Sequence, residues 1–228
     1  MRILPFALAS LLAVIGGPAP DVRAAPPRPT GALHERDFDW EIGTWATDVC
    51  VLRNPLSGQA PQWAEYRGTS VVRGLLAGRW NFVELSVAGS SGTIEGGSLR
   101  LFNPQSRQWS LNFASLKGGV LTAPVYGAFD SGGRGMFTGA DLLEGQAIMV
   151  RFIITRPSAN QARFEQAYSA DGGVTWENNW IAVDNRLNSG AALPFSKLDP
   201  LRQGLPDQQG SGSAARSSLC PSGADPNR

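Results

Sequence analysis

The fold is decided by the segment 162-ARFEQAYSADGGVTWENNWIAVDNR-186. Two runs in which large and polar residues alternate lie on either side of Asp171-Gly172-Gly173, three residues of types that tolerate a positive φ. This pattern predicts an antiparallel β-hairpin. With a three-residue loop, the facing pairs on its aromatic side are Tyr168–Trp176, Gln166–Asn178 and Phe164–Trp180.

The turn of this hairpin resembles the Asp box of sialidases and other β-propellers, because Ser169, Asp171, Gly173, Thr175 and Trp176 follow its SxDxGxTW pattern. In an Asp box the Asp and Ser/Thr side chains bind turn amides, so the motif locks a turn and has no catalytic role. A propeller needs several copies at a regular spacing, and this sequence has one. We therefore interpret the motif as structural.

Composition excludes several classes of function. The chain has 228 residues, 42% of them hydrophobic, and its 20 Lys and Arg are offset by 19 Asp and Glu. It is long enough for one sizeable core but has no basic face for nucleic acid. With two cysteines and one histidine, His34, the sequence offers no ligand cluster for zinc or haem and no Ser-His-Asp arrangement within the strands. We predict no metal and no cofactor.

The first 24 residues are typical of a secretory signal peptide. Arg2 precedes an apolar run from Ile3 to Ile15, and the small residues around Ala24 suit a signal peptidase. The alternative is a membrane anchor, although about 13 apolar residues are few for a bilayer. We predict a periplasmic or secreted protein without stable membrane insertion after signal cleavage. An oxidising compartment would permit a Cys50–Cys220 disulfide, which the sequence neither requires nor excludes.

The chain between the signal and the tail predicts an all-β domain. A Pro-rich lead at 25–32 is followed by a domain at 33–187 and by a tail at 188–228 whose composition predicts disorder. Within the domain a short plug precedes the first strand, and turn signals separate about ten short strands. Before the hairpin, the predicted strands are 45–52, 62–73, 79–87, 93–102, 107–115, 120–129, 135–140 and 146–155. Because exposed edges favour closure, we predict an up-and-down antiparallel β-barrel, with a β-sandwich as the alternative.

Four motifs together resemble a family of secreted bacterial lipocalin-like domains of unknown function. They are FDWEIGTW at 38–45, GSLRLFNP at 97–104 with Trp109, RFEQAYS at 163–169, and the segment from Asp171 to Trp180. The resemblance covers about 33–186 and implies a calycin-type β-barrel, a scaffold of many small-molecule binders and a few enzymes. It implies no particular activity.

If the aromatic rows face inward, they form the wall of a ligand site. Burial of each large apolar side chain is worth about 1.5 to 3 kcal/mol, which favours this orientation. The predicted ligand-binding residues are Trp80, Phe82, Glu84, Trp109, Gln166, Tyr168, Asn178 and Trp180. The opposite face, predicted to be a solvated ion-pair lattice, carries Arg100, Arg151, Arg163, Glu165 and Glu177.

Three functions fit this interior. The first is a binder whose aromatic wall contacts an apolar or planar small molecule while Glu84, Gln166 and Asn178 orient it. The second is a metal-independent isomerase, hydratase or cyclase, with Glu84 as general base and Tyr168 as donor. The third is a packed structural or interaction domain in which the polar groups satisfy one another.

Overall fold

A computed structural model describes residues 34–187 and 219–221. Short 3-10 helices at Asp39–Glu41 and Leu76–Gly78 accompany ten strands. The strands are β1 (Gly43–Leu52), β2 (Trp63–Leu75), β3 (Trp80–Gly89), β4 (Gly92–Asn103), β5 (Gln108–Ser115), β6 (Val125–Phe129), β7 (Gly135–Leu143), β8 (Gln146–Ser158), β9 (Gln161–Ser169) and β10 (Glu177–Arg186).

The ten strands form one closed antiparallel barrel in which each strand pairs with its neighbours in the sequence and β10 pairs with β1. The predicted all-β up-and-down barrel is therefore confirmed, and the β-sandwich is not formed. Closure follows from the strand-turn-strand pattern, since it removes the two exposed edges that an open sheet would leave. The shortest strand pairing in the barrel is between β5 and β6, which have only three residue pairs in register.

The β9–β10 hairpin has a different register from the predicted one. The loop between the strands spans 170–176, and Tyr168 lies opposite Glu177 while Gln166 lies opposite Trp180. A β-bulge between Asn178 and Trp180 adds a residue to β10. The three predicted pairings are wrong because the turn motif occupies seven residues and because the bulge changes the phase of β10.

The predicted hydrogen bonds of the turn are present. Oδ1 and Oδ2 of Asp171 accept bonds from the amide and hydroxyl of Thr175, and Oδ1 also accepts from the amide of Val174. The Ser169 hydroxyl donates to Asp171 at 2.7 Å and accepts from the amide of Gly173. Because all these bonds favour the ionised carboxylate, the pKa of Asp171 lies below its usual range.

One end of the barrel is closed by the segment that precedes β1. Phe38 is almost fully buried there and contacts Trp109, Phe129 and Phe137 with ring centroids 4.9 to 6.1 Å apart. The indole of Trp109 donates a hydrogen bond to the backbone carbonyl of His34, at 2.9 Å. The sequence FDWEIGTW thus forms the predicted plug, and the apolar core is concentrated at this end.

A disulfide joins Cys50 to Cys220 across a sequence separation of 170 residues. Both cysteines pack with Ile181 and contact the partly buried Trp63 and Leu219. Since Val49 and Val51 alternate with Cys50 and belong to the core inside the barrel, the bridge lies on the outer face. The disulfide that the sequence permitted therefore exists, and it fastens residues 219–221 to β1 and β10.

The predicted signal peptide at 1–24, the Pro-rich lead at 25–32 and most of the predicted tail at 188–228 lie outside the described residues. Within the part that is described, no helical segment has the length and apolarity that a membrane crossing requires.

Candidate functional site

A cavity of about 340 Å³ lies inside the barrel. Most of its wall is apolar, because the inward positions of neighbouring strands carry aliphatic and aromatic side chains. The apolar side chains of the wall are Val49, Val83, Leu85, Leu111, Phe113, Val125, Val150, Phe152, Phe164, Trp180 and Ala182. Phe152 and Phe164 are stacked with their centroids 6.2 Å apart. This wall suits an apolar ligand body.

The floor of the cavity, next to the plug, contains a buried ion pair. Glu41 comes from the plug and Arg100 from β4, and the side chains are 1% and 5% exposed. Nη1 and Nη2 of Arg100 donate to the two carboxylate oxygens of Glu41, the second bond at 3.3 Å, and Nη1 also donates to Oδ1 of Asn81. The guanidinium lies 4.3 Å from the centroid of the Phe38 ring. Arg100 is therefore fixed by contacts on several sides.

A second carboxylate on the floor, Asp184, has no basic partner of its own. It is 3% exposed, and its Oδ1 has no hydrogen-bond partner among the described residues. Burial raises the pKa of Asp184 to about 7; the negative charges of Glu41 and Asp48 act in the same direction, whereas a hydrogen bond with Thr47 and the charge of Arg100 oppose it. The Thr47 hydroxyl also lies 2.8 Å from the Ser70 hydroxyl. Near neutral pH this group changes between neutral and charged forms.

The other end of the cavity is bordered by uncharged polar side chains and by one carboxylate, Asp141. Nε2 of Gln166 lies 3.3 Å from the Tyr168 hydroxyl. Burial raises the pKa of Tyr168, while its hydrogen bonds with Asn179 and Gln166 partly offset that effect. Asp141, Asn112 and Thr122 complete this border, on the side where β5 and β6 pair only briefly. These groups could contact the distal part of a ligand.

Of the eight predicted ligand-binding residues, Gln166, Tyr168 and Trp180 line the cavity together. Their alternation along β9 and β10 brings them to one region of the wall. Trp109 also points inward and is 1% exposed, but it packs against Phe38 at the closed end instead of lining the cavity. Trp109 thus contacts Phe38, whose ring lies against the guanidinium of Arg100.

The inward orientation predicted for Trp80, Phe82 and Glu84 is wrong. The inner row of β3 is formed by the alternate residues Asn81, Val83, Leu85 and Val87, all of which are buried. On the outer side, Glu84 pairs with Arg73 at 3.5 Å in an exposed position. Phe82 covers Gly97, and its ring atoms lie 2.8 Å from where a Cβ of that glycine would be. The ring of Phe82 fills the outer space that the missing side chain of Gly97 leaves, and the aliphatic residues of β3 form the inner row.

Two further orientations differ from the prediction. Asn178 is exposed and lies opposite Ala167, because the bulge after it moves the inward phase to Trp180. Arg100 was expected on the solvated face but belongs to the buried floor. By contrast, Arg163 and Glu165 form the expected pair on the outer face, at 2.9 Å.

Sequence reasoning did not identify the polar floor, formed by Glu41, Thr47, Ser70, Arg100 and Asp184. A signal for Asp184 was available, since it follows Trp180 and Ala182 at the spacing of a single strand face. For Glu41 the plug motif contained the residue, but only the closed barrel brings it to Arg100, 59 positions away.

Among the described residues, Cys50, Glu65 and Cys220 form a group of the types that bind metal ions. It lies on the outer face, and both sulfur atoms are part of the disulfide. The cavity contains carboxylates and hydroxyls but neither histidine nor cysteine among its lining residues. The floor offers carboxylate, hydroxyl and guanidinium groups for hydrogen bonding.

No family model and no curated protein matches this chain. Among solved structures, the S-type phycobiliprotein lyase from Guillardia theta is similar, with a TM-score of 0.48, 11% identity, and coverage of 70% of this chain and 96% of that chain. A de novo designed fluorescence-activating β-barrel has a TM-score of 0.36 at 14% identity, covering 66% of this chain and 98% of the design. A designed barrel bound to DFHBI has a TM-score of 0.37 at 13% identity, and the match covers 68% of this chain and 99% of that barrel. At this level of similarity, function has to be inferred from the cavity itself.

Proposed function

We propose that this is an exported protein, similar to secreted lipocalin-like domains, that binds one small and largely apolar molecule inside its barrel. One observation carries the proposal: a cavity of about 340 Å³ combines an apolar wall with a buried polar floor. Ligand pockets in proteins occupy about 300 to 1,000 Å³ and have this same combination, in which apolar area supplies affinity and a few polar groups fix orientation. The volume corresponds to a compact ligand.

The polar floor favours a binding site over a packed structural interior. A packed core satisfies its buried polar atoms, yet four buried side-chain atoms have no hydrogen-bond partner within 34–187 and 219–221. Two of the four, Oδ1 of Asp184 and Nε of Arg100, belong to residues that line the cavity. Each such atom is costly to bury. A ligand that bonds to them would recover part of that cost, which a domain without a ligand would not do.

Catalysis is a second candidate function, supported by one observation. The predicted base, Glu84, lies outside the barrel, but Asp184 lies in the cavity with a pKa of about 7. A carboxylate that exchanges its proton near neutral pH can act as a general acid or base. Catalysis would be favoured if the wild type converts a bound compound and Asp184→Asn still binds that compound but no longer converts it.

Export is supported by two features. The N-terminal sequence has the charged, apolar and small-residue regions of a signal peptide. The Cys50–Cys220 disulfide also suits an oxidising compartment such as the periplasm or the cell exterior. Fractionation of cells that express the full chain tests this part of the proposal. We expect processed protein outside the cytoplasm, and unprocessed cytoplasmic protein would contradict export.

The binding proposal is tested by thermal shift and equilibrium titration of the purified protein with fatty acids, retinoid-like compounds, arylalkyl compounds and alkyl amines. Ala182→Phe projects a ring into the cavity, whereas Ala88→Phe makes the same change at an exposed position on the outer side of β3. We expect at least one compound class to bind with one-to-one stoichiometry to the wild type and to Ala88→Phe, but weakly to Ala182→Phe. Absence of binding across the panel would overturn the proposal, as would equal binding to both variants.

A further inference from the structure

We infer that the cavity selects apolar amines, bound with the ammonium group against Asp184 and the apolar body along the aromatic and aliphatic wall. This inference rests on the proposed binding function and specifies the chemical class of the ligand.

The first observation is the free acceptor on the floor. Asp184 borders the cavity at 3% exposure, and its Oδ1 has no partner among the described residues. The nearby hydroxyl of Thr47 contacts both Asp184 and Ser70, so it does not provide a charge for the carboxylate. A buried acceptor of this kind is matched by a ligand group that donates hydrogen bonds.

The second observation is the charge balance of the floor. Arg100 is engaged by both oxygens of Glu41 and by Asn81, so this positive charge is already paired. The remaining charged neighbour that acts on Asp184 is Asp48, which is negative and pairs with Arg67 at 3.1 Å. Ionised Asp184 thus leaves the floor with one unpaired negative charge, and a ligand ammonium would neutralise it.

The competing ligand class is an anion held by Arg100, whose Nε also lacks a partner among the described residues. An anionic head would place a further negative charge beside Glu41 and Asp184. It would also have to compete with Glu41 for a guanidinium that stacks on Phe38. The charge balance therefore favours a cation over an anion.

Proton exchange gives the inference a distinct signature. The charged groups that act on Asp184 are Glu41, Arg100 and Asp48, and in the absence of a ligand its pKa is about 7. An ammonium binds the ionised form, so amine binding below pH 7 must release a proton. Because the ionised fraction rises from roughly 3% at pH 5.5 to roughly 90% at pH 8, apparent amine affinity should increase about 30-fold over this range.

The experiment uses three probes with one body: 4-phenylbutylamine, 4-phenylbutanol and 4-phenylbutyrate. Affinities for the wild type, Asp184→Asn and Glu84→Gln are measured by calorimetric titration at pH 5.5, 7 and 8. We expect the amine to bind most tightly at pH 8, with the 30-fold pH dependence, in the wild type and in Glu84→Gln. In Asp184→Asn the pH dependence and the preference for the amine over the alcohol should both disappear.

The outcomes separate the inference from the proposed function. If the alcohol or the carboxylate binds as tightly as the amine at pH 8, the amine inference is overturned while small-molecule binding stands. If amine affinity does not change with pH in the wild type, the inference is likewise overturned, and this result does not depend on any variant folding. If none of these probes and no compound of the wider panel binds, the proposed function itself fails.

Discussion

Protonation of Asp184 should control the stability of the ligand-free protein. Its pKa is about 7 in the barrel, mainly because of burial, and 3.8 is its ordinary value, which we take for the unfolded chain. The folded state therefore binds more protons than the unfolded state between these two values. The stabilisation is fully present below the unfolded pKa and is lost as pH rises through the folded pKa.

The magnitude follows from the two pKa values. Complete loss of this stabilisation lowers the free energy of unfolding by about 4 kcal/mol, and the part lost between pH 5 and pH 8 is about 2.5 kcal/mol. For a domain of this length, that difference corresponds to a fall in Tm of roughly 5 to 10 °C.

Urea denaturation at pH 5, 6, 7 and 8 measures this effect. We expect the free energy of unfolding of the wild type to decrease with pH, whereas Asp184→Asn should show a nearly flat profile and be the more stable protein at pH 8. Glu84→Gln, which changes a half-buried carboxylate on the outer face, should show the same pH dependence as the wild type. A flat wild-type profile, or an Asp184→Asn profile parallel to it, would refute the assignment of a buried titrating carboxylate at this position.

Three further predictions concern the plug, the disulfide and the turn. Glu41→Gln should lower the free energy of unfolding by about 3 to 5 kcal/mol, because it removes the carboxylate that both Nη atoms of the buried Arg100 contact. The double variant Glu41→Gln/Arg100→Leu should lose less, and additive losses in denaturation would contradict this. Reduction of the Cys50–Cys220 disulfide should cost about 2 to 4 kcal/mol in urea titrations with and without dithiothreitol, and unchanged midpoints would show that the bridge is not stabilising. Asp171→Ala should lower the Tm without changing ligand affinity, since its bonds close an exposed turn; loss of binding with an unchanged Tm would be inconsistent with this role.

The sequence predicted the barrel well because its evidence is local. Alternation along each strand and Gly, Asn and Pro signals at the turns define antiparallel neighbours, and ten such neighbours close readily. The turn lock at Asp171 was also predictable, because its hydrogen bonds involve residues within four positions. Closure of β1 on β10 needed no further signal than two unpaired edges.

The inward face of each strand was harder to predict, because neither the size nor the polarity of the side chains alone decides which face turns inward. On β3, aromatic rings occupy one face and aliphatic residues the other, and the rings lie outside, where Phe82 covers Gly97. On β10, a bulge that has no sequence signature exposes Asn178. The Glu41–Arg100 pair depends on a contact between segments 59 positions apart. Such contacts follow from tertiary packing and not from the periodicity of one strand.

The most direct measurement is a crystal structure of the protein with 4-phenylbutylamine at pH 8. We expect one molecule inside the barrel, with its phenyl ring against Phe152 and Phe164 and its nitrogen within hydrogen-bonding distance of Oδ1 of Asp184. A saturated complex whose ligand lies on the outer face, or a cavity that contains only water at saturating ligand, would contradict the proposed site.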